Sequence, residues 1–183
     1  MASTKTHDPV AAAKALAPQI RAASDEIQSR CTLPDSLVEA MAEAGLFQLY
    51  TPKTLGGPET DPITAFEAVE ELSKADGSVS WCSFVASAIS MYSAWVPVDV
   101  GLKMFGQPLD LRVAGSFRPT ANAVQVDGGY NIVGRWNYVS GVEHANWLVL
   151  NCNIHAKNGP LKDEQGLPVT SMMIVPASAG TVE

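Results

Sequence analysis

Apolar residues recur at helical spacing through the first hundred positions and alternate after them. Leu16, Ile20, Ala23 and Ile27 fall at i, i+4, i+7 and i+11, which predicts one buried stripe on a helix over residues 9–30. Pro34 fits the first turn of a second helix with Asp35 beside its N-terminus; Leu37, Val38 and Met41 face inward, and Gly45 ends it in left-handed geometry. Gly56-Gly57-Pro58 reads as a loop. Asp61 caps a third helix with Pro62 in its first turn, an apolar face of Ile63, Phe66, Val69 and Leu72, and a close at Asp76-Gly77. Ser80 to Trp95 reads as a fourth, mostly buried helix, and Asp99 to Phe105 as a short fifth, stopped by Gly106 and Pro108.

Beyond Pro108 the period changes to two. Ala123 to Val126 alternates, Asp127-Gly128 signals a hairpin, and Tyr130 to Val133 resumes as a strand. Trp147 to Asn153 and Val169 to Val175 are two further runs, separated by a polar loop from Lys157 to Leu167. The pattern predicts an α+β, multidomain chain: a helical domain over residues 1–108 and a β-domain over residues 109–183. Four or so strands leave an open sheet with an unfinished core and unprotected edges.

Composition narrows the classes. The chain is 46% hydrophobic and 17% charged, which argues against disorder. A net charge of −7 without a basic cluster disfavours nucleic acid and anionic membrane as partners. Cys31, Cys82 and Cys152 are too scattered for a disulfide framework or a zinc site and fit idle thiols in a reducing, cytoplasmic compartment. The N-terminal residues lack the apolar core of a signal peptide, and His7 reads as part of a disordered tail. Gly77 to Val98 carries no charge, but its many serines fit a buried helix rather than a membrane span.

No nucleophile elbow, dinucleotide fingerprint or phosphate loop is present, and His7, His144 and His155 share no metal-ligand spacing. Glu67, Glu70 and Glu71 read as a solvated helix face. His144 reads as a polar loop residue. Trp81, Phe84, Tyr92 and Trp95 populate one helix, as core or as a ligand wall, with Trp81 and Phe84 on one side. The Ser140-Gly141 corner also has two readings. One is an ordinary strand end. The other is a seat for the polar edge of a flat heterocycle: the hydroxyl can donate or accept, Gly141 allows close approach, and Trp136, Tyr138 and Ser140 would share one strand face.

Four segments together resemble the acyl-CoA dehydrogenase superfamily. They are Leu46-Phe-Gln-Leu-Tyr-Thr-Pro-Lys-Thr-Leu-Gly-Gly57, Ala75-Asp-Gly-Ser-Val-Ser-Trp81, Ala114-Gly-Ser-Phe-Arg-Pro119, and Gly134-Arg-Trp-Asn-Tyr-Val-Ser-Gly141 with Ala145-Asn-Trp147. Phe-Arg-Pro in place of Thr-Glu-Pro, and Ser-Gly in place of Thr-Asn-Gly, point to the branch of two-component flavin-dependent monooxygenases. The resemblance implies a helical domain, an antiparallel β-barrel or sandwich, and a C-terminal helical bundle. The sequence is expected to stop within the β-domain, before that bundle and the catalytic base it carries.

The resemblance also implies roles. Ser140 offers its hydroxyl and amide to flavin N5 and O4, as the one catalytic candidate. Ser116, Phe117, Asn122, Tyr138 and Val139 join it around the cofactor, while Trp81, Phe84 and Met91 border the substrate. The cofactor is FMN or FAD, and no metal is expected. The implied activity is hydroxylation of an aromatic or heterocyclic substrate with flavin supplied by a reductase. An FAD-dependent acyl-CoA dehydrogenase served by an electron-transfer flavoprotein, and an inactive fragment, remain as alternatives. Family members are commonly homo-oligomers, tetramers among them.

Overall fold

The computed structural model describes residues 8–106 and 108–182, so His7 lies outside the described residues. Helix α1 spans Pro9–Arg30, opened by the Asp8 side chain accepting from the Ala11 N–H and ended by Cys31 in left-handed geometry. Helix α2 spans Asp35–Glu43, with Pro34 just outside it as the capping residue, and Gly45 follows at φ 68°. Lys53–Leu55 forms one 3-10 turn before α3, Pro62–Ser73, whose Asp61 cap accepts from both Ile63 and Thr64 N–H. Hydrogen bonding from the Thr64 side chain first, and then from the Thr64 and Ile63 N–H groups, holds the Asp61 carboxyl below its ordinary range.

The buried face of α3 differs from the expected one. Ala65, Ala68 and Leu72 face inward, whereas Ile63 and Phe66 are exposed. An alanine stripe lets α3 lie close against α1, and the larger side chains are turned outward by that choice. Asp76-Gly77 does not close α3 but opens α4, Gly77–Ser90: the Asp76 carboxylate accepts from Ser78 and Val79 N–H. A 3-10 stretch, Met91–Trp95, and helix α5, Val98–Phe105, complete the helical part.

The serines of α4 form a seam. Ser83 donates to the Leu46 carbonyl at 2.6 Å, and Ser87 donates to the same oxygen at 3.3 Å while accepting from Leu49 N–H. These buried hydroxyls tie the α2–α3 connection to α4, which is how a charge-free helix carries so many polar groups in a core. Among the described residues no helix is long and apolar enough to cross a membrane.

Among the described residues five strands form one sheet: β1 Val113–Val126, β2 Gly129–Val133, β3 Trp147–Ala156, β4 Gly159–Pro160 and β5 Thr170–Pro176. The order is β2-β1-β3-β4, with β5 also paired to β3. The expected α+β order, helices followed by an incomplete sheet domain, is observed, and the sheet is mixed rather than wholly antiparallel, because β1 and β3 run parallel from Val113–Trp147 to Val124–His155 while the other pairs are antiparallel. The cause is the long connection over residues 134–146, which carries the chain back to the start of β1 as a parallel pair requires. Strand β1 is also far longer than the alternating run Ala123–Val126. It absorbs Ser116 to Pro119, and the register against β3 shifts between Ser116 and Ala121. The predicted polar loop after β3 holds the short strand β4.

The helices bury one core, including Ile20, Met41, Phe47 and Leu72. A second core joins Leu55, Ile89 and Phe105 to Leu111, Val113 and Val149 of the β-part, with Trp147 edge-on to Phe105 at 5.4 Å. Helix α4 packs on β1 there, and this contact positions the site.

Candidate functional site

After β2 the chain leaves strand geometry. Trp136, Tyr138 and Ser140 therefore do not share a strand face as expected. Trp136 turns inward and donates its indole N–H to the Asn151 carbonyl at 3.0 Å, whereas Tyr138 sits at φ 59° and is 91% exposed. A residue in left-handed geometry breaks the two-residue alternation, which is why the expectation failed. Ser140 and Gly141 instead occupy the middle of a turn closed by Val142 N–H to the Val139 carbonyl at 3.1 Å. Gly141 has φ 80°, which glycine adopts without steric cost at this place in a turn.

A 3-10 turn, Val142–His144, follows and folds the histidine back under the corner. The His144 ring lies 5.1 Å from that of Phe47, and its Nε2 is 3.1 Å from where a Cβ on Gly141 would sit. Burial, and secondarily the Arg112 charge, lower the His144 pKa to about 4. The ring is neutral at neutral pH, and it is a packing element rather than a simple loop residue.

The decisive contact joins segments far apart in sequence. The Trp81 indole N–H donates to the Ser140 hydroxyl oxygen at 3.1 Å. Trp81, Phe84 and Met91 fall at i, i+3 and i+10, one stripe of α4 and its extension, and this stripe faces away from the core. Trp81 is 54% exposed and packs on Phe84 at 5.9 Å between ring centres. Phe84 in turn meets Phe66 at 6.2 Å. The exposed face of α3 thus extends the aromatic wall. Sequence reasoning placed Phe66 in the core, although the Ala65 and Ala68 stripe signalled the opposite orientation.

A second aromatic group lies further along. Tyr92 is 6.0 Å from Phe117 and 5.5 Å from Trp95. Phe117 is exposed on the irregular part of β1, while Ser116 just before it is buried. Two asparagines of β3 hold this irregularity where ladder pairing lapses. Asn151 donates to the Phe117 carbonyl at 2.9 Å, and Asn153 donates to the Pro119 carbonyl at 2.8 Å. Their role was not foreseen; the signal is the alternation of Asn151 and Asn153 within an otherwise apolar run. Asn122 is exposed further along β1, opposite Val133 and Asn153. Val139 contributes its carbonyl to the turn.

The structure therefore brings Trp81, Phe84 and Ser140 together directly, and Phe117 joins Tyr92. Tyr138 and Asn122 remain apart from those contacts. The arrangement presents an aromatic wall of mutually tilted rings, 32° between Phe66 and Phe84 and 40° between Trp81 and Phe84, with one hydroxyl at its edge. On another side of α4, a cleft of about 560 Å³ is lined by residues including Ile27, Cys31, Cys82, Gly141 and His144. Burial and the neighbouring Asp76 push the Cys82 thiol up to about 11, so it is no nucleophile at neutral pH. Among the described residues no group of histidine, cysteine or carboxylate side chains is arranged to hold a metal.

Residues 10–96 match the family described as acyl-CoA dehydrogenase, N-terminal domain. The chain is 31% identical over 161 residues to the oxygenase subunit HsaA, a flavin-dependent monooxygenase of Rhodococcus jostii (strain RHA1), covering 87% of this chain and 40% of that protein. It is 31% identical to indole-3-acetate monooxygenase of Pseudomonas putida, covering 94% of this chain and 45% of that one. Among solved structures, XiaF from Streptomyces sp., in complex with FADH2 and glycerol, superposes with a TM-score of 0.85 at 29% identity, covering 96% of this chain and 43% of that chain. The chain thus spans about two fifths of the length of the curated relatives it matches.

Proposed function

We propose that this chain, whose residues 10–96 match the N-terminal domain family of acyl-CoA dehydrogenases, builds the flavin and substrate wall of a reduced-flavin monooxygenase acting on an aromatic or heterocyclic compound. The observation that carries this reading is the Trp81–Ser140 contact: a hydroxyl at a glycine turn, fixed at the edge of an exposed aromatic stripe. The relatives support it, since flavin-dependent monooxygenases and an FADH2 complex are among them.

The donor set fits a flavin. Its N5 edge needs a group that can donate or accept, and Ser140 offers a hydroxyl. Its ring needs an apolar neighbour: Trp81 lies at that hydroxyl, Phe84 packs on Trp81 along the same helix, and the exposed Phe117 of β1 meets Tyr92 in the 3-10 stretch that follows that helix. Gly141 lets backbone approach the ring edge. When bound, reduced flavin supplies the electrons that activate dioxygen for insertion of one oxygen atom into the substrate. The chain's own part is to orient the ring through Ser140, to hold the substrate against Trp81, Phe84 and Met91, and to exclude water with the same apolar side chains. His144, neutral and wedged under Gly141, keeps the turn in place. FMN and FAD present the same N5 edge, so the reading takes either.

The reading extends to a flavin reductase as partner, to a homo-oligomer, and to a cytoplasmic setting, which three free cysteines favour. The test is turnover of the full chain with a flavin reductase, NADH and a panel of phenols and indoles under labelled dioxygen. The expected result is one labelled oxygen atom in the product, with loss in Ser140→Ala. Dehydrogenation of an acyl-CoA thioester without oxygen incorporation overturns the proposal in favour of the dehydrogenase alternative.

A further inference from the structure

The Trp81 indole nitrogen lies 3.1 Å from the Ser140 hydroxyl oxygen. An indole N–H can only donate, whereas a hydroxyl has one proton and two lone pairs. Ser140 therefore accepts from Trp81, and its own proton points elsewhere. The backbone bonds that close the turn, Val142 to Val139 and His144 to Gly141, consume neither that proton nor the second lone pair.

We propose that Trp81 is a positioning residue that presets the Ser140 hydroxyl as a hydrogen-bond donor toward the ring bound against the turn. Donation into the oxygen also polarises the O–H and strengthens it as a donor. The identity of the ring rests on the flavin reading; the Trp81–Ser140 pairing does not. Oxidised flavin presents N5 as an acceptor, which a preset donor satisfies at once. Reduced flavin presents N5–H, which must use the one lone pair left on Ser140. Trp81 thus biases the serine toward the oxidised ring, and its removal shifts relative affinity toward the reduced one. The same indole belongs to the proposed substrate wall, so a substrate that displaces it alters the serine that faces the cofactor.

The test has two arms on the full chain. The first needs no flavin. With the four tryptophans labelled, Trp81→Phe removes one indole N–H resonance and so assigns it. The expected result is that Ser140→Ala moves that resonance and speeds its exchange with water, while Ser140→Thr, which keeps the hydroxyl, restores it. An indole resonance indifferent to Ser140→Ala overturns the pairing. The second arm is anaerobic titration with oxidised and reduced FMN and FAD. Trp81→Phe is expected to change the ratio of the two affinities by about fivefold toward the reduced form. Ser140→Ala should remove the effect of Trp81→Phe in the double variant. Equal weakening of both forms by Trp81→Phe marks a merely structural role and overturns the preset-donor proposal. Binding of neither flavin by the wild type overturns the flavin reading, and the indole resonance alone then decides the pairing.

Discussion

Lowering the pH from 7 to 5 should destabilise this protein through His144. The ring is folded back against Phe47 with its pKa depressed from 6.5 to about 4, mainly by burial and secondarily by Arg112. A histidine with a depressed folded-state pKa is neutral in the native protein. The unfolded chain therefore binds the extra proton first. The sign follows: stability is intact above the unfolded value, falls as pH drops from about 6.5 to about 4, and levels off below. Between pH 7 and 5 the linkage amounts to about 2 kcal/mol for a fully shielded group. Solvent reaches part of this half-buried ring, which reduces the expected loss to about 1 kcal/mol. The assay is urea unfolding at several pH values for the wild type and for His144→Gln, whose side chain does not titrate. The carboxylates with depressed values, Asp61 and Glu71, begin below about 4.5 and release their stability at lower pH, leaving this window to histidine. The wild type should lose about 1 kcal/mol more than the variant across it. An identical pH dependence in the two proteins refutes the reasoning.

Other substitutions test the scaffold. Ser83→Ala removes the 2.6 Å bond to the Leu46 carbonyl in a fully buried setting and should cost about 1–3 kcal/mol, read as a lower melting temperature; a change as small as that from Ser78→Ala, on the exposed side of α4, would contradict the seam. A Cβ on Gly134 would collide with the Ala121 Cβ, so Gly134→Ala should cost about 1–3 kcal/mol by overpacking, measured by urea unfolding. Asn153→Ala frees the Pro119 carbonyl, and amide exchange of residues 117–121 should accelerate while α1 stays unchanged.

Much of the helical part was legible because its signals are local. Asp61-Pro62 announces a capped start, and the stripe from Leu16 to Ile27 marks a helix by spacing alone. Asp76-Gly77 shows the limit: the same pair suits the end of one helix and the start of the next, and only hydrogen bonds to Ser78 and Val79 decide. The parallel pairing of β1 with β3 was not legible, because pairing direction depends on the path of residues 134–146 and leaves no mark in the alternation of either strand. Strand β1 was half hidden for a second reason: the irregularity after Ser116 interrupts its period and places Pro119 inside it. At the site, Ser140-Gly141 was visible as a polar corner, but its geometry was misread as a strand end. The Trp81–Ser140 bond links residues on α4 and the β2–β3 connection, so the sequence named both partners without showing that they meet.

Hydrogen–deuterium exchange of the full chain with and without reduced flavin, under anaerobic conditions, tests the location of the site most directly. The account predicts slowed exchange in residues 77–91 and 136–145, the segments that carry Trp81 and Ser140, and no change in residues 24–33 on the neighbouring cleft. Protection confined to residues 24–33, or none anywhere, would contradict it.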